Sequence, residues 1–150
     1  MVIDPDAFLE TADGRVWTAE RSAEAWRLAR EALRGALAAG SVRRVVVVCG
    51  LQGAGKSTGI ARQEPASGTV FFDAALPGAR HRAPIIAIAR AFGVPVEAVW
   101  IRAPLAVALE RNRRRPADLC VPEASIRSVD RLFEPPVPAE GWASVRIVEA

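Results

Sequence analysis

Lysine is almost absent from this chain of 150 residues: there is one, at position 56, against nineteen arginines. Tyrosine is missing altogether, and histidine and methionine occur once each. Cysteine occurs only as Cys49 and Cys120, neither with a partner at CxxC spacing. Two cysteines and one histidine cannot complete a tetrahedral zinc site without carboxylates, so no structural metal is expected. Cys49 ends a valine run and reads as a small core residue. No apolar run approaches the length needed to span a bilayer. Residues 1–6 lack the basic region and apolar core of a secretory signal, and a cytoplasmic location without membrane contact is the expectation. Aromatic residues make up 6% of the chain, four of them tryptophan. That is thin provision for the stacking platforms of a long single-stranded nucleic-acid track.

What remains is enough for a real core. Half of the chain, 51%, is hydrophobic, and the length suits one domain over residues 1–150. The formal charge of +3 and the pI near 9.6 are mildly basic, and the arginines are scattered as well as clustered. Charge alone therefore does not call for a nucleic-acid partner. No sequence feature calls for an obligate protein partner either.

The lone lysine falls in the most informative stretch. Val45-Val46-Val47-Val48-Cys49 is followed at once by Gly50-Leu51-Gln52-Gly53-Ala54-Gly55-Lys56-Ser57-Thr58, a G-x-x-x-x-G-K-S pattern after a β-branched run. Glycines at this spacing let several backbone N–H groups converge on one phosphate chain. Lys56 supplies a compact ammonium for the β- and γ-phosphates, a role for which a planar guanidinium is a poor substitute. The Ser57 hydroxyl suits Mg²⁺, and the helix that begins there turns its positive end toward the anion. The expected ligands are ATP and Mg²⁺. A second acid fits the same chemistry: Thr69-Val70-Phe71-Phe72-Asp73 is a hydrophobic strand ended by an aspartate, the pattern of a carboxylate that manages the metal's water shell.

Around this motif the pattern alternates. Residues 2–3 read as a short strand running into Asp4-Pro5-Asp6, which is both a helix-start signal and a pair of acids at a strand end. Residues 11–18 read as a polar turn region. Residues 20–39 form an amphipathic helix, with Ala25/Trp26, Ala29, Ala32/Leu33 and Ala36/Leu37 on one face and Gly40 as its stop. The P-loop helix reads as short, ending between Arg62 and Pro65. A helix to about Phe92 turns Ile85, Ile86, Ala89 and Phe92 inward, and residues 94–101 are a strand. Leu105, Ala108 and Leu109 mark the next helix, which ends in Glu110-Arg111-Asn112-Arg113-Arg114-Arg115-Pro116. A helix over 122–133 carries the stripe Ile126, Val129, Leu132 and Phe133, and a strand at 145–148 closes the sheet. This order and the motif predict an α/β, three-layer P-loop NTPase/kinase fold: a mostly parallel sheet of about five strands with helices on both faces.

Several stretches resemble the kinase domain of the polynucleotide 5′-hydroxyl kinase family. They are Phe71-Phe72-Asp73, Arg80-His81-Arg82-Ala83-Pro84, Gly93-Val94-Pro95-Val96, Leu109 to Pro116, Val121 to Ile126, Phe133-Glu134-Pro135-Pro136 and Glu140-Gly141-Trp142. The resemblance implies that Arg111 and Arg115 form a lid gripping the donor phosphates, while Arg113 and Arg114 also suit a solvated face. In that family a strand ending in the acceptor's general base follows the P-loop. Here Val2 to Leu9, with Arg21 to Trp26 and Ala36 to Gly40, resembles that segment but stands ahead of the P-loop, and the stretch between Thr58 and Val70 is too short to hold another. The resemblance implies that Asp6 is the base, with Asp4 as the alternative. Ala74-Ala75 stand where the family usually has a Thr-Asn or similar polar pair. The functional expectation is an ATP-dependent phosphotransferase acting on an acceptor hydroxyl, a nucleic-acid 5′-end or a small molecule. A nucleotide-binding regulatory module is the alternative, as is a fragment whose acceptor site a partner domain completes.

Overall fold

In a computed structural model, residues 1–12, 14–61 and 67–150 are described. Five strands, β1 (Val2–Ile3), β4 (Arg44–Cys49), β5 (Thr69–Asp73), β6 (Val96–Arg102) and β7 (Ser144–Glu149), form one sheet in the order β1-β5-β4-β6-β7. All of its neighbours are parallel. The helices are α1 (Ala19–Ala38), α2 (Lys56–Ala61), α3 (Ala79–Ala91), α4 (Leu105–Arg113) and α5 (Glu123–Leu132). The fold is the expected α/β architecture, a five-stranded parallel sheet with helices on both faces, consistent with a P-loop NTPase/kinase fold. Among the described residues no helix is long and apolar enough to cross a membrane.

The central strand β4 is buried from Val45 to Cys49, as a parallel strand covered on both faces must be. Its side chains alternate between two cores. Val45, Val47 and Cys49 join Ile3, Val70, Phe72, Val96 and Ala98 beneath Ala29, Leu33 and Leu37 of α1 and Ile85, Ile86 and Ala89 of α3. Val46 and Val48 face the other way, with Leu51, Ala54, Ile101 and Ala108. Burial pushes the Cys49 thiol up to about 11, so it is a protonated packing residue near neutral pH.

Local rules account for the element ends. Thr18 caps α1 by accepting the Arg21 N–H at 3.1 Å, and Gly40, at φ +84°, ends it. The inward face of α1 is the expected one. Two inward assignments fail: Phe92 lies just beyond α3 with 42% exposure, and Leu132 at the end of α5 is 54% exposed. Both stand at helix ends, where the chain leaves the sheet and periodicity no longer predicts facing. Ile126 is buried as expected, and Phe133 stacks on Trp100 with centroids 5.0 Å apart. The expected end of the P-loop helix, between Arg62 and Pro65, lies outside the described residues.

The region read as a polar turn contains a small antiparallel hairpin, β2 (Glu10–Thr11) with β3 (Gly14–Arg15). Its strands are too short to show alternation, which is why the sequence pattern missed it. The Thr11 hydroxyl donates to the Gly14 carbonyl, and the Val16 N–H donates to the Leu9 carbonyl.

Candidate active site

Parallel sheets gather ligands at the carboxyl ends of their strands, and here β1, β4 and β5 end side by side. Register pairs Val2 with Phe71 and Ile3 with Phe72, and on the other side Val48 with Asp73. The segment Asp4 to Asp6, the loop Gly50 to Thr58 and Asp73 therefore open on one cleft of about 750 Å³. The sequence separates Asp6 from Asp73 by the whole of α1, β4 and the P-loop; the sheet order brings them together.

The loop after β4 has the shape of a phosphate cradle. Gly53, at φ +83°, passes so close to α4 that an added methyl would collide with the Ala108 carbonyl oxygen. Leu51 and Ala54 are buried, so they hold the loop against the core and can serve a ligand only through backbone groups. Gln52, Gly53, Gly55, Lys56, Ser57 and Thr58 line the cleft, and Gly50 forms the turn out of β4. Gly53→Ala is expected to cost roughly 1–3 kcal/mol through left-handed strain and the clash. Nucleotide titration beside a thermal melt should show ATP binding lost or sharply weakened; unchanged binding would count against the close packing.

Lys56 curls back over its own loop, its Nζ donating to the carbonyls of Leu51 at 3.0 Å and Gly50 at 3.3 Å. Burial pushes its pKa down, while Asp73, Asp6 and Asp4 pull it back up. Two carbonyl oxygens are weak partners for an ammonium with three donors in a cleft, so the residue is poised to exchange them for phosphate oxygens. The Ser57 hydroxyl donates to Asp73 Oδ2 at 2.9 Å. Burial holds the 5%-exposed Asp73 carboxyl above its usual range, Asp4 adds to this, and Lys56 opposes it. A hydroxyl and a carboxylate in contact at the end of the cradle are a hard oxygen donor set, which fits Mg²⁺.

Asp4 and Asp6, the two candidates for the base, have different surroundings. Asp4 caps the 3₁₀ turn Pro5–Leu9: its Oδ1 accepts the Asp6 N–H at 2.9 Å, and its Oδ2 lies 4.0 Å from Arg15. Asp6 lines the cleft without such a duty. Burial and then Asp4 push its pKa up, against Arg15 and Lys56. A partly desolvated carboxylate of raised basicity is the better proton acceptor.

Both expected lid arginines reach the cleft. Arg111 donates through Nη1 to the Ala54 carbonyl at 3.0 Å, tying α4 to the cradle, and Arg115 lines the cleft beside it. Arg113 and Arg114 turn outward to Glu110 and Glu123, as a solvated face does.

Sequence reasoning did not place Arg15, Trp17, Ser22, Trp26 or His81 at the site, and all five line the cleft. His81 accepts the Gly78 N–H through Nδ1 at 3.0 Å, and burial, with Arg80 and Arg82 nearby, lowers its pKa. It also missed Arg82, fully buried, which donates to Glu140 at 2.8 Å and 3.2 Å and to the Leu76 carbonyl at 2.9 Å. Leu76, at φ +47°, belongs to the loop after Asp73 that forms part of the cleft wall. The Glu140 signal was available only as part of Glu140-Gly141-Trp142, whose spacing says nothing of an ion pair.

Fold and cleft together are consistent with a P-loop nucleotide-binding domain. Residues 63–136 match the family AAA_33, described as an AAA domain, a stretch that takes in β5 through α5 and begins after the cradle. No curated protein matches the chain.

Proposed function

We propose that this protein is an ATP-dependent phosphotransferase, with a nucleic-acid 5′-hydroxyl as the acceptor implied by the family resemblance. The observation that carries the reading is the pairing of β1 with β5, which sets Asp6 in the same cleft as Lys56, Ser57 and Asp73. A nucleotide-binding module without transfer chemistry has no need of a desolvated carboxylate opposite the phosphate cradle.

In this reading the cradle from Gly50 to Thr58 and Lys56 hold the triphosphate of ATP. Ser57 and Asp73 would hold Mg²⁺, which neutralises phosphate charge. Asp6 accepts the proton of the acceptor hydroxyl as its oxygen attacks the γ-phosphorus. The bond from that phosphorus to the β–γ bridging oxygen breaks, ADP leaves, and a phosphate monoester forms. Arg111 and Arg115 stabilise the charge on the moving phosphoryl group and exclude water, favouring transfer over hydrolysis.

The test is transfer from γ-labelled ATP to 5′-hydroxyl DNA and RNA oligonucleotides, with nucleosides and sugars beside them. Asp6→Asn is expected to lower kcat by about 10²- to 10⁴-fold with ATP affinity unchanged. Label on a sugar or nucleoside alone would keep the mechanism and replace the substrate. ATP bound but no acceptor labelled would overturn the kinase reading for the isolated chain.

A further inference from the structure

The Arg15 guanidinium has a buried position that neither the fold nor the phosphate cradle requires. Its side chain is 11% exposed and lines the cleft, yet it stands on a two-residue strand of a hairpin. Its contacts are long: Nε lies 3.5 Å from Glu10 Oε1, and Nη2 lies 4.0 Å from Asp4 Oδ2. Asp4 is thus addressed on both oxygens, by the guanidinium on one side and by the Asp6 N–H at 2.9 Å on the other.

We propose that Arg15 is a positioning residue for the Asp6 carboxylate: it braces Asp4, and Asp4 in turn fixes the backbone that carries Asp6. This rests on the reading of Asp6 as the acceptor base. The charged groups facing Asp6 are Asp4 from its own turn, Arg15 from the hairpin, Lys56 from the cradle and Asp73 from β5. Lys56 is engaged with loop carbonyls and is assigned to the donor, and Asp73 is assigned with Ser57. Among the described residues that face Asp6, Arg15 is the cation left to the acceptor side. Without it the repulsion among Asp4, Asp6 and Asp73 is opposed only by Lys56 among the groups that face Asp6, and like charges push the turn out of the cleft.

The hairpin has a footing that keeps Arg15 in place. Gly14, at φ +102°, packs on Asp118 so tightly that an added Cβ would stand 2.8 Å from the Asp118 Cβ. Asp118 belongs to the 3₁₀ turn Ala117–Leu119, just past the lid arginine Arg115. Arg15 on the acceptor side and Arg115 on the donor side therefore rest on one junction. A hairpin lifted from that junction takes Arg15 away from Asp4.

The experiment compares Arg15→Gln, Arg15→Lys and Gly14→Ala with the wild type. Amide exchange followed by NMR reads the brace directly, with no acceptor needed. Arg15→Gln is expected to speed exchange of the Asp6 amide about tenfold while β4 amides and ATP binding stay unchanged, and Arg15→Lys should restore most of the protection. Gly14→Ala should match Arg15→Gln by displacing the hairpin. With γ-labelled ATP and a 5′-hydroxyl DNA oligonucleotide, kcat should fall about tenfold in both, with KM for ATP unaltered. Unchanged Asp6 exchange in a folded Arg15→Gln protein, or a loss carried by KM for ATP, overturns the proposal. If Asp6→Asn keeps full transfer while Arg15→Gln still frees the Asp6 amide, the base assignment fails and the brace stands.

Discussion

Lys56→Met is expected to remove the proposed phosphoryl transfer, by about three orders of magnitude, without lowering thermal stability. The first half follows from the cradle, where the only lysine of the chain is the one compact cation available to the β- and γ-phosphates. The second half follows from burial, the largest influence on this side chain, which depresses its pKa against the pull of Asp73 and Asp6. A basic group whose folded pKa is lowered holds its proton less tightly in the folded state than in the unfolded one. The charged lysine therefore weighs against the fold near neutral pH, and that burden lifts as pH rises toward the ordinary lysine value. Methionine keeps most of the apolar stem without the charge. Thermal melts at about pH 7 and 9 should show the variant at least as stable as the wild type at the lower pH, with the gap narrowing at the higher one. A variant that melts several degrees lower at neutral pH would show that the two carbonyl hydrogen bonds outweigh the desolvation of the ammonium.

The second large effect lies away from the phosphates. Glu140→Ala is expected to cost about 3–5 kcal/mol, because it leaves the fully buried Arg82 without its carboxylate. For a chain of this size that is roughly 10 °C in Tm. Arg82 also holds the Leu76 carbonyl, and Leu76 sits at φ +47°, where a branched side chain is strained. The loop from Ala74 to Pro77, part of the cleft wall, is therefore held in place by this pair, and ATP binding should weaken together with stability. Replacing both partners by apolar residues, Arg82→Met with Glu140→Leu, should recover a good part of the stability, since no unpaired charge remains.

The pH dependence separates the two proteins. Burial raises the Glu140 carboxyl, but the Arg82 hydrogen bond, the Val137 N–H and the Arg82 charge outweigh it, and its pKa lies below the usual range. A depressed acid contributes stability above its ordinary pKa and loses it as pH falls through the folded value. Asp6 and Asp73, both raised, work in the opposite sense in either protein. The stability difference between wild type and the double variant should therefore shrink on acidification below the ordinary glutamate range. A difference independent of pH would remove the ion pair as its cause.

Much of this molecule was legible in its sequence because the deciding forces are local. The valine run, the glycine spacing and the single lysine define a strand and a phosphate cradle whatever surrounds them, since close packing at Gly53 and the phosphate-facing turn both demand those residue types. The face of α1 followed from 3.6-residue periodicity, and Asp73 from its place at a strand end. Helix ends were less legible, as Phe92 and Leu132 show, because facing there depends on where the next segment leaves.

Only the tertiary structure decided what lies across the cleft. The short strand Val2–Ile3 has too few residues to specify its neighbour, and the parallel register beside β5 is what sets Asp6 against the cradle. The same assembly distinguished Asp4, occupied as a cap, from Asp6, and turned Arg111 and Arg115 toward the cleft while Arg113 and Arg114 pair with Glu110 and Glu123 outside it. Arg15 and the Arg82–Glu140 pair are tertiary contacts in the strict sense: Arg82 and its partner are 58 residues apart. A sequence states which charges a chain carries. Which of them are desolvated together, and so acquire chemistry, is settled by the order in which the strands pack.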